Sequence, residues 1–203
     1  MSPISYLVML CLTPAAVAKE ITDIAQIGPH YKIITFEKNE NPQNIMVIFT
    51  RLDESCHFKL EGPKSQTPAL GYYWLMDRKR YKPVNPLIRR GIEKRLVLEG
   101  GVMSESPTSS FFQIRISDLN ELKTDLHEPR MRVTARKSGA ECEVETTVRL
   151  GPSDGQDSLR LTTLYSEAEK KFLPPFRRLL SITLDGVNIR TGAPLKRKYS
   201  TQP

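Results

Sequence analysis

Short runs of β-branched and aromatic residues, separated by turn-forming residues, limit what this chain can fold into more than any other feature. Examples are "YKIITF" (31–36), "IMVIFT" (45–50) and "CHFKLE" (56–61), with clusters of Asn, Pro, Asp or Gly between them. The runs are typical of β-strands and the clusters are typical of turns. Roughly nine or ten such strands with short connections predict a mainly β fold, a single-domain antiparallel β-sandwich or barrel.

One segment, "RMRVTARKSGAECEVETTVRL" (130–150), predicts a β-hairpin with Ser138 and Gly139 in its turn. Arg136 would then pair with Glu141, and the acidic residues of the second strand would face the basic residues of the first. Opposed charges across two strands are typical of a solvated sheet face. We therefore interpret the glutamates of this hairpin as structural and not as catalytic or metal-binding carboxylates.

A second segment, "LLSITLDGVNIR" (179–190), contains Asp-Gly between apolar runs. This dipeptide is a strong signal for a two-residue type I′ turn. The segment predicts a hairpin that turns at Asp185 and Gly186, with Leu184 facing Val187.

Only two places favour a helix, and both are short. In "NPLIRRGIEKRLVL" (85–98), Asn85 suits the N-cap position and Pro86 the first helical position. The other place is "SEAEKKF" (166–172), where a helical turn would precede Pro174 and Pro175.

The first eighteen residues have the pattern of a secretory leader. They contain no charged side chain, carry an apolar run from Ile4 to Leu12, and end in Ala-Val-Ala. This pattern predicts a signal peptide over 1–18 that is cleaved between Ala18 and Lys19, and the alternative is a buried N-terminal element. The apolar run is too short for a permanent membrane anchor. The remaining chain would be a β-rich domain (19–195) followed by a basic, partly disordered C-terminal tail (196–203).

After cleavage the chain keeps two cysteines, Cys56 and Cys142. An exported protein meets an oxidising compartment, so a disulfide between them is one interpretation. Two buried free thiols that pack as small apolar side chains are the other. The sequence leaves both open.

The basic charge is concentrated in one stretch. The formal net charge is +7, and between Tyr72 and Leu98 eight Arg or Lys residues against Asp77 and Glu93 give +6. One interpretation is ordinary structure, in which a core strand runs into a solvated turn and helix. Another is a binding face for an anionic ligand, whose residues would be Tyr72, Trp74, Arg78, Arg80, Lys82, Arg89, Arg90, Lys94 and Arg95. The leader argues against nucleic acid, because an exported protein meets anionic lipid, lipopolysaccharide or cell-wall polymer instead.

No catalytic signature occurs in the chain. The three histidines, His30, His57 and His127, have no metal-ligand spacing, and no nucleophile elbow, phosphate loop or zinc-protease motif is present. The sequence therefore predicts no catalytic residue, no metal and no cofactor. A site assembled from Asp77 with His57 or His127 is the one enzymatic alternative.

Three segments carry a resemblance to a family: "NIMVIFTRLD" (44–53), "PALGYYWLMDRKRYKPVNPLIRRGIEKRL" (68–96) and "RLLSITLDGVNIRTG" (178–192). They resemble the exported bacterial proteins catalogued as domain of unknown function 4833. The matching positions are Pro68, Tyr73-Trp74-Leu75, Glu93-Lys94, Gly186 and Thr191-Gly192. The resemblance spans roughly 31 to 195 and departs at "TRLDESCHF", where the family has an Arg-Ser-x-Asn-type run. It implies an exported protein, but no activity, ligand or site residue.

These observations together predict an exported periplasmic or secreted envelope protein that is not an enzyme. It would bind an anionic or amphipathic envelope component, or a partner protein, through the basic face. A hydrolase or transferase that acts on cell-envelope polymers is the alternative, and a purely structural assembly subunit is a third.

Overall fold

The computed structural model describes residues 30–38, 45–76, 80–116, 130–150, 158–168 and 179–200. Within these stretches the chain forms eleven strands and one helix. In chain order they are β1 (His30–Lys38), β2 (Ile45–Arg51), β3 (Leu70–Met76), β4 (Arg80–Pro83), α1 (Pro86–Arg95), β5 (Leu96–Ser106), β6 (Ser109–Ile116), β7 (Arg130–Ser138), β8 (Glu141–Arg149), β9 (Ser158–Ala168), β10 (Leu179–Asn188) and β11 (Pro194–Ser200). The prediction of a mainly β fold is confirmed.

All eleven strands belong to one sheet, which divides at β9. One edge of β9 pairs with β10, which in turn pairs with β11. The other edge pairs with β8 through residues 158–160 and with β1 through residues 163–166. Two arms leave from there, β1-β2-β3-β4 and β8-β7-β6-β5.

The sheet is mixed and not purely antiparallel, because β1 and β9 run parallel. This corrects the antiparallel prediction in one strand pair. The prediction came from hairpins, in which neighbouring strands must be antiparallel. Strands that are far apart in sequence, such as β1 and β9, carry no such restriction.

The core lies between the two arms. Every second side chain of a strand faces the core. In β6 the buried residues are Ser110, Phe112, Ile114 and Ile116, and the alternate residues are half-buried. Phe58, from the loop after β2, contacts Phe112 edge-to-face at 4.8 Å between ring centroids. The packing of both arms on one apolar cluster is compatible with a sandwich-like single domain.

The two cysteines form a disulfide that links the arms. Cys56 lies in the loop after β2 and Cys142 lies in β8, with their Cα atoms 5.4 Å apart. The free-thiol interpretation is therefore wrong. The run "CHFKLE" is also not a strand, because Cys56 has a φ of 64° and only the isolated bridges Leu52–Phe58 and Leu60–Pro68 form there.

The hairpin of β7 and β8 is confirmed, but its register differs from the prediction. Gly139 and Ala140 occupy the turn, so Ser138 pairs with Glu141 and Arg136 pairs with Glu143. Gly139 has a φ of 62°, which suits glycine at the first central position of such a turn. The shift is two residues, so every side chain keeps its predicted face.

The hairpin predicted at Asp185 and Gly186 is wrong. Both residues lie inside β10, and the chain turns later, between Asn188 and Ala193. The Asn188 side chain organises that turn by accepting hydrogen bonds from the backbone N–H groups of Arg190 and Thr191. A side chain that mimics a backbone turn partner explains why this position turns.

Helix α1 forms where it was predicted. The side chain of Asn85 accepts a hydrogen bond from the backbone N–H of Leu87 at 2.9 Å, and Pro86 opens the helix. The second predicted helical turn is wrong for residues 166–168, which continue β9. Residues 169–172 lie outside the described residues.

The basic C-terminal run is a strand and not a disordered tail. Residues Pro194–Ser200 form β11, which pairs with β10 from Ser181 to Val187. Tyr199 anchors the strand, because its side chain is buried in the core. Residues 201–203 lie outside the described residues, as do the predicted leader (1–18) and its cleavage position between Ala18 and Lys19. No described helix is long and apolar enough to cross a membrane.

Candidate functional site

The basic aromatic stretch folds as three consecutive elements, β3, β4 and α1. On β3, Tyr72 is buried and Trp74 is half-buried against the core. On the other face of β3, Tyr73 packs edge-to-face on Phe49 at 5.9 Å between centroids. The aromatic residues therefore serve packing on both faces of the strand and do not form an exposed stacking surface.

Arg89 of α1 is held by an aromatic ring and two carboxylates. Its Nε donates to Glu93 Oε1 at 2.6 Å, and its Nη2 lies 3.6 Å from Glu61 Oε1. Its guanidinium carbon lies 5.2 Å from the centroid of the Tyr72 ring. The hydrogen bond to Glu93 raises the pKa of Arg89. Arg89 therefore has three local partners, Glu61, Glu93 and the ring of Tyr72.

Tyr72 remains a neutral phenol over the whole physiological pH range. Its pKa is raised to about 12, chiefly by burial and to a lesser extent by the nearby charge of Glu93, while Arg89 acts in the opposite direction. A neutral hydroxyl cannot serve as a nucleophile at ordinary pH without a base that takes its proton. The role of the buried ring is therefore to pack against the Arg89 guanidinium.

A cleft of about 300 Å³ lies beside these residues, between α1 and the start of β5. Its lining is mixed: apolar side chains lie beside the charged side chains of Glu61, Arg89 and Glu93 and the hydroxyl-bearing Thr67 and Tyr72. The lining residues are Glu61, Thr67, Pro68, Leu70, Tyr72, Arg89, Glu93, Leu96, Val97 and Leu98. Tyr72 and Arg89 are the two predicted face residues that line it, and Trp74 does not.

The outward side of α1 combines an exposed leucine with cations. No residue of the helix is fully buried, and Leu87 is 71% exposed. Arg90 and Lys94 are exposed and follow Leu87 at three and seven residues, which places all three on one side of the helix. Lys94 and Arg95 also lie in the last turn, where cations stabilise the helix dipole.

The remaining members of the predicted face, Arg78, Arg80 and Lys82, belong to β4 or to the residues just before it in sequence. Lys82 is exposed on β4, whereas Arg80 is half-buried. Arg78 lies outside the described residues. Among the eight members that the structure describes, one is buried (Tyr72), three are exposed (Lys82, Arg90 and Lys94) and four are half-buried (Trp74, Arg80, Arg89 and Arg95).

The enzymatic alternative depended on a histidine near a carboxylate. His57 Nε2 lies 3.2 Å from the main-chain oxygen of Ser106, and its Nδ1 lies 4.0 Å from Asp53 Oδ2. The first contact occupies one ring nitrogen, and the second is too long for a good hydrogen bond. Asp77 and His127 lie outside the described residues. Within the described part of the chain, no three His, Cys, Asp or Glu residues cluster as metal ligands would.

Two glutamates of the β7–β8 hairpin bind arginines, as structural carboxylates do, but the partners differ from those of the predicted register. Glu143 binds Arg136 at 3.3 Å, and Glu145 binds Arg160 of β9 at 2.5 Å. Each carboxylate therefore belongs to a row of charges on an exposed sheet face.

The cleft carboxylate that sequence reasoning missed is Glu61. The spacing of Arg89 and Glu93, four residues apart on a helix, is itself a signal for an ion pair. Glu61 comes from the loop before β3, so its approach to Arg89 depends on the tertiary fold. No local pattern in the sequence indicates it.

Comparisons with known proteins add nothing to this site. No protein-family model, no curated protein and no solved structure matches this chain. The resemblance to domain of unknown function 4833 therefore stays a prediction.

Proposed function

We propose that this protein is an exported, non-enzymatic envelope protein that binds anionic amphipathic material through the outward side of α1 and the adjoining strand β4. The observation that carries the proposal is the exposed Leu87 beside Arg90 and Lys94. An anionic lipid surface offers phosphates above acyl chains. Cations with an adjacent exposed apolar side chain match both parts of that surface.

The local charge balance supports the same proposal. Glu93, the carboxylate within α1, is paired with Arg89 at 2.6 Å, so its charge is largely neutralised by that residue. Arg90 and Lys94 are exposed on the outward side and carry positive charge there. The net charge of +7 adds a long-range attraction to any anionic surface.

The alternative of a hydrolase or transferase on envelope polymers lacks a supporting observation. His57 contacts a main-chain oxygen in the described structure, and its nearest carboxylate is 4.0 Å away. The leading proposal therefore rests on surface chemistry.

The test measures binding of the oxidised mature chain to lipid vesicles. Vesicles of phosphatidylcholine with phosphatidylglycerol are compared with vesicles of phosphatidylcholine alone, at increasing salt. We expect binding to the anionic vesicles alone and weaker binding as salt shortens the Debye length. Equal binding to both kinds of vesicle, or none at low salt, contradicts the proposal.

Two matched triple variants separate the α1–β4 surface from net charge. The test variant is Lys82→Gln, Arg90→Gln, Lys94→Gln, and the control is Lys32→Gln, Lys137→Gln, Arg190→Gln, which removes the same charge from other exposed positions. At about 1 kcal/mol for each cation near the surface, the test variant should bind of the order of a hundredfold more weakly. The control should lose much less, and an equal loss in both would reduce the effect to net charge.

A further pair of variants tests the apolar contact. Leu87→Gln removes the exposed leucine of α1, and Ile189→Gln removes an isoleucine that is 45% exposed in the β10–β11 turn. We expect Leu87→Gln to weaken vesicle binding and Ile189→Gln to leave it unchanged. Equal effects would contradict a contact centred on α1.

A further inference from the structure

The cleft beside α1 has apolar side chains on part of its lining, and its charged side chains are negative in excess. Leu70, Leu96 and Leu98 contribute to the walls, and the buried ring of Tyr72 adds an aromatic surface. A volume of about 300 Å³ lies at the lower end of the range for small-molecule sites. The cleft is therefore large enough for a compact ligand of a few carbon atoms.

The charges around the cleft do not balance. Glu61 and Glu93 line it together with a single cation, Arg89, which leaves a net charge of −1. Arg89 is hydrogen-bonded to Glu93 at 2.6 Å, but its nearest approach to Glu61 is 3.6 Å, beyond hydrogen-bond range. Glu61 is thus the carboxylate with acceptor capacity left for another donor.

The position of Glu61 suits contact with a ligand. Its side chain is 45% exposed at the cleft, so an incoming group can reach it. Its backbone N–H donates to the main-chain oxygen of Thr67 at 3.0 Å, which fixes the loop that carries it. The backbone that carries this carboxylate is therefore held in place beside the apolar side chains of the cleft.

We propose that this cleft binds a small, mainly apolar ligand that carries one ammonium group, with Glu61 as the acceptor. The apolar part of the ligand would lie against Leu70, Leu96 and Leu98. A carboxylate ligand would meet two glutamates and be repelled, and a neutral ligand would lack the ion pair. This site is separate from the proposed lipid-binding surface, because Leu87, Arg90 and Lys94 do not line the cleft.

The test uses three ligands of equal chain length, hexylammonium, hexanoate and hexanol. Each is titrated into the oxidised mature protein while NMR follows the methyl resonances of Leu70, Leu96 and Leu98. We expect saturable shifts with hexylammonium, weaker shifts with hexanol and none with hexanoate. No saturable shift with hexylammonium, or binding of hexanoate or hexanol of equal strength, overturns the proposal.

A conservative variant tests the role of Glu61. Glu61→Gln keeps the shape of the side chain and removes its charge, while Glu54→Gln removes an exposed carboxylate that does not line the cleft. Loss of an exposed ion pair predicts roughly two- to fivefold weaker binding of hexylammonium in Glu61→Gln. The Glu54→Gln variant should bind as the wild type does, and equal effects in both overturn the assignment. Vesicle binding should be unchanged in both variants, so this test and that of the proposed function can fail separately.

Discussion

Gly186 shows how one residue can fix the path of a strand. A Cβ atom at this position would lie 2.0 Å from the main-chain oxygen of Arg160 on β9, and 3.0 Å from Leu159 Cδ1. The pairing of β9 with β10 shifts register between Asp185 and Gly186, as it does at a bulge. Glycine is therefore required here by close approach of two backbones and not by a turn.

This contact predicts a large effect of Gly186→Ala. The added methyl group must displace backbone atoms, so the free energy of unfolding should fall by about 2–3 kcal/mol. Gly62→Ala is the matched control, because nothing lies within 4 Å of a Cβ at that position. Urea unfolding of both variants measures the difference. Equal midpoints for the two would contradict the close approach of β9 and β10.

Tyr72 links stability to alkaline pH. Its pKa rises from 10 in the unfolded chain to about 12 in the fold, chiefly because of burial. The folded state thus favours the neutral phenol, and this contribution is complete below pH 10 and is lost as pH rises through 12. Two pKa units correspond to roughly 2–3 kcal/mol.

We therefore expect the wild type to lose stability between pH 10 and pH 12 more steeply than Tyr72→Phe. The phenylalanine variant keeps the ring against Arg89 and cannot ionise. Chemical unfolding at several pH values in this range measures the slope. Parallel pH dependence in the two proteins would show that Tyr72 does not contribute.

At the scale of elements, α1 was predictable because its signals are local. Asn85, Pro86 and the spacing of Ile88 and Ile92 are all visible within one short stretch. The faces of β7 and β8 were predictable for a similar reason, since alternation does not depend on the turn. The register of that hairpin and the hairpin at Asp185 were predicted wrongly. Both predictions used turn-forming residues alone, whereas pairing with other strands decides where the chain turns.

The N-cap residue of α1, Asn85, should contribute to the stability of the protein. Asn85→Ala removes the acceptor for the Leu87 N–H and should lower the free energy of unfolding by about 1 kcal/mol. Asn85→Asp keeps an acceptor oxygen and should stay close to the wild type. Thermal unfolding of the three proteins tests this. A loss of equal size in both variants would mean that the acceptor oxygen at position 85 does not stabilise the helix.

At the scale of the whole molecule, the disulfide is the covalent link between the two arms. Cys56 and Cys142 are 86 residues apart in sequence, so the bond restricts the unfolded chain over a long loop. In the chain-entropy description, a loop of that length stabilises the fold by about 4–5 kcal/mol.

The double variant Cys56→Ser, Cys142→Ser should lose most of that stability. Wild-type protein with and without a reductant is the control, because reduction should produce a loss of similar size. Urea unfolding measures both. A loss below about 1 kcal/mol would contradict a stabilising link between the arms.

The order of the strands, and the cleft, could not have been predicted from the sequence. The parallel contact of β1 with β9, and the contact of Glu61 with Arg89, join residues whose local sequences carry no signal for each other. The C-terminal basic run illustrates the same limit. Its charges resemble a solvated tail, but Leu195 and Tyr199 pack onto the core while the three cations between them are exposed.

The central claim is that the outward side of α1, with β4, contacts anionic amphipathic surfaces. Hydrogen–deuterium exchange of the oxidised protein, with and without phosphatidylglycerol-containing vesicles, tests it most directly. We expect protection on binding in peptides that cover residues 80–95. Protection confined to β11, whose Lys196, Arg197 and Lys198 form the other basic strand, would contradict it, as would no protection at all.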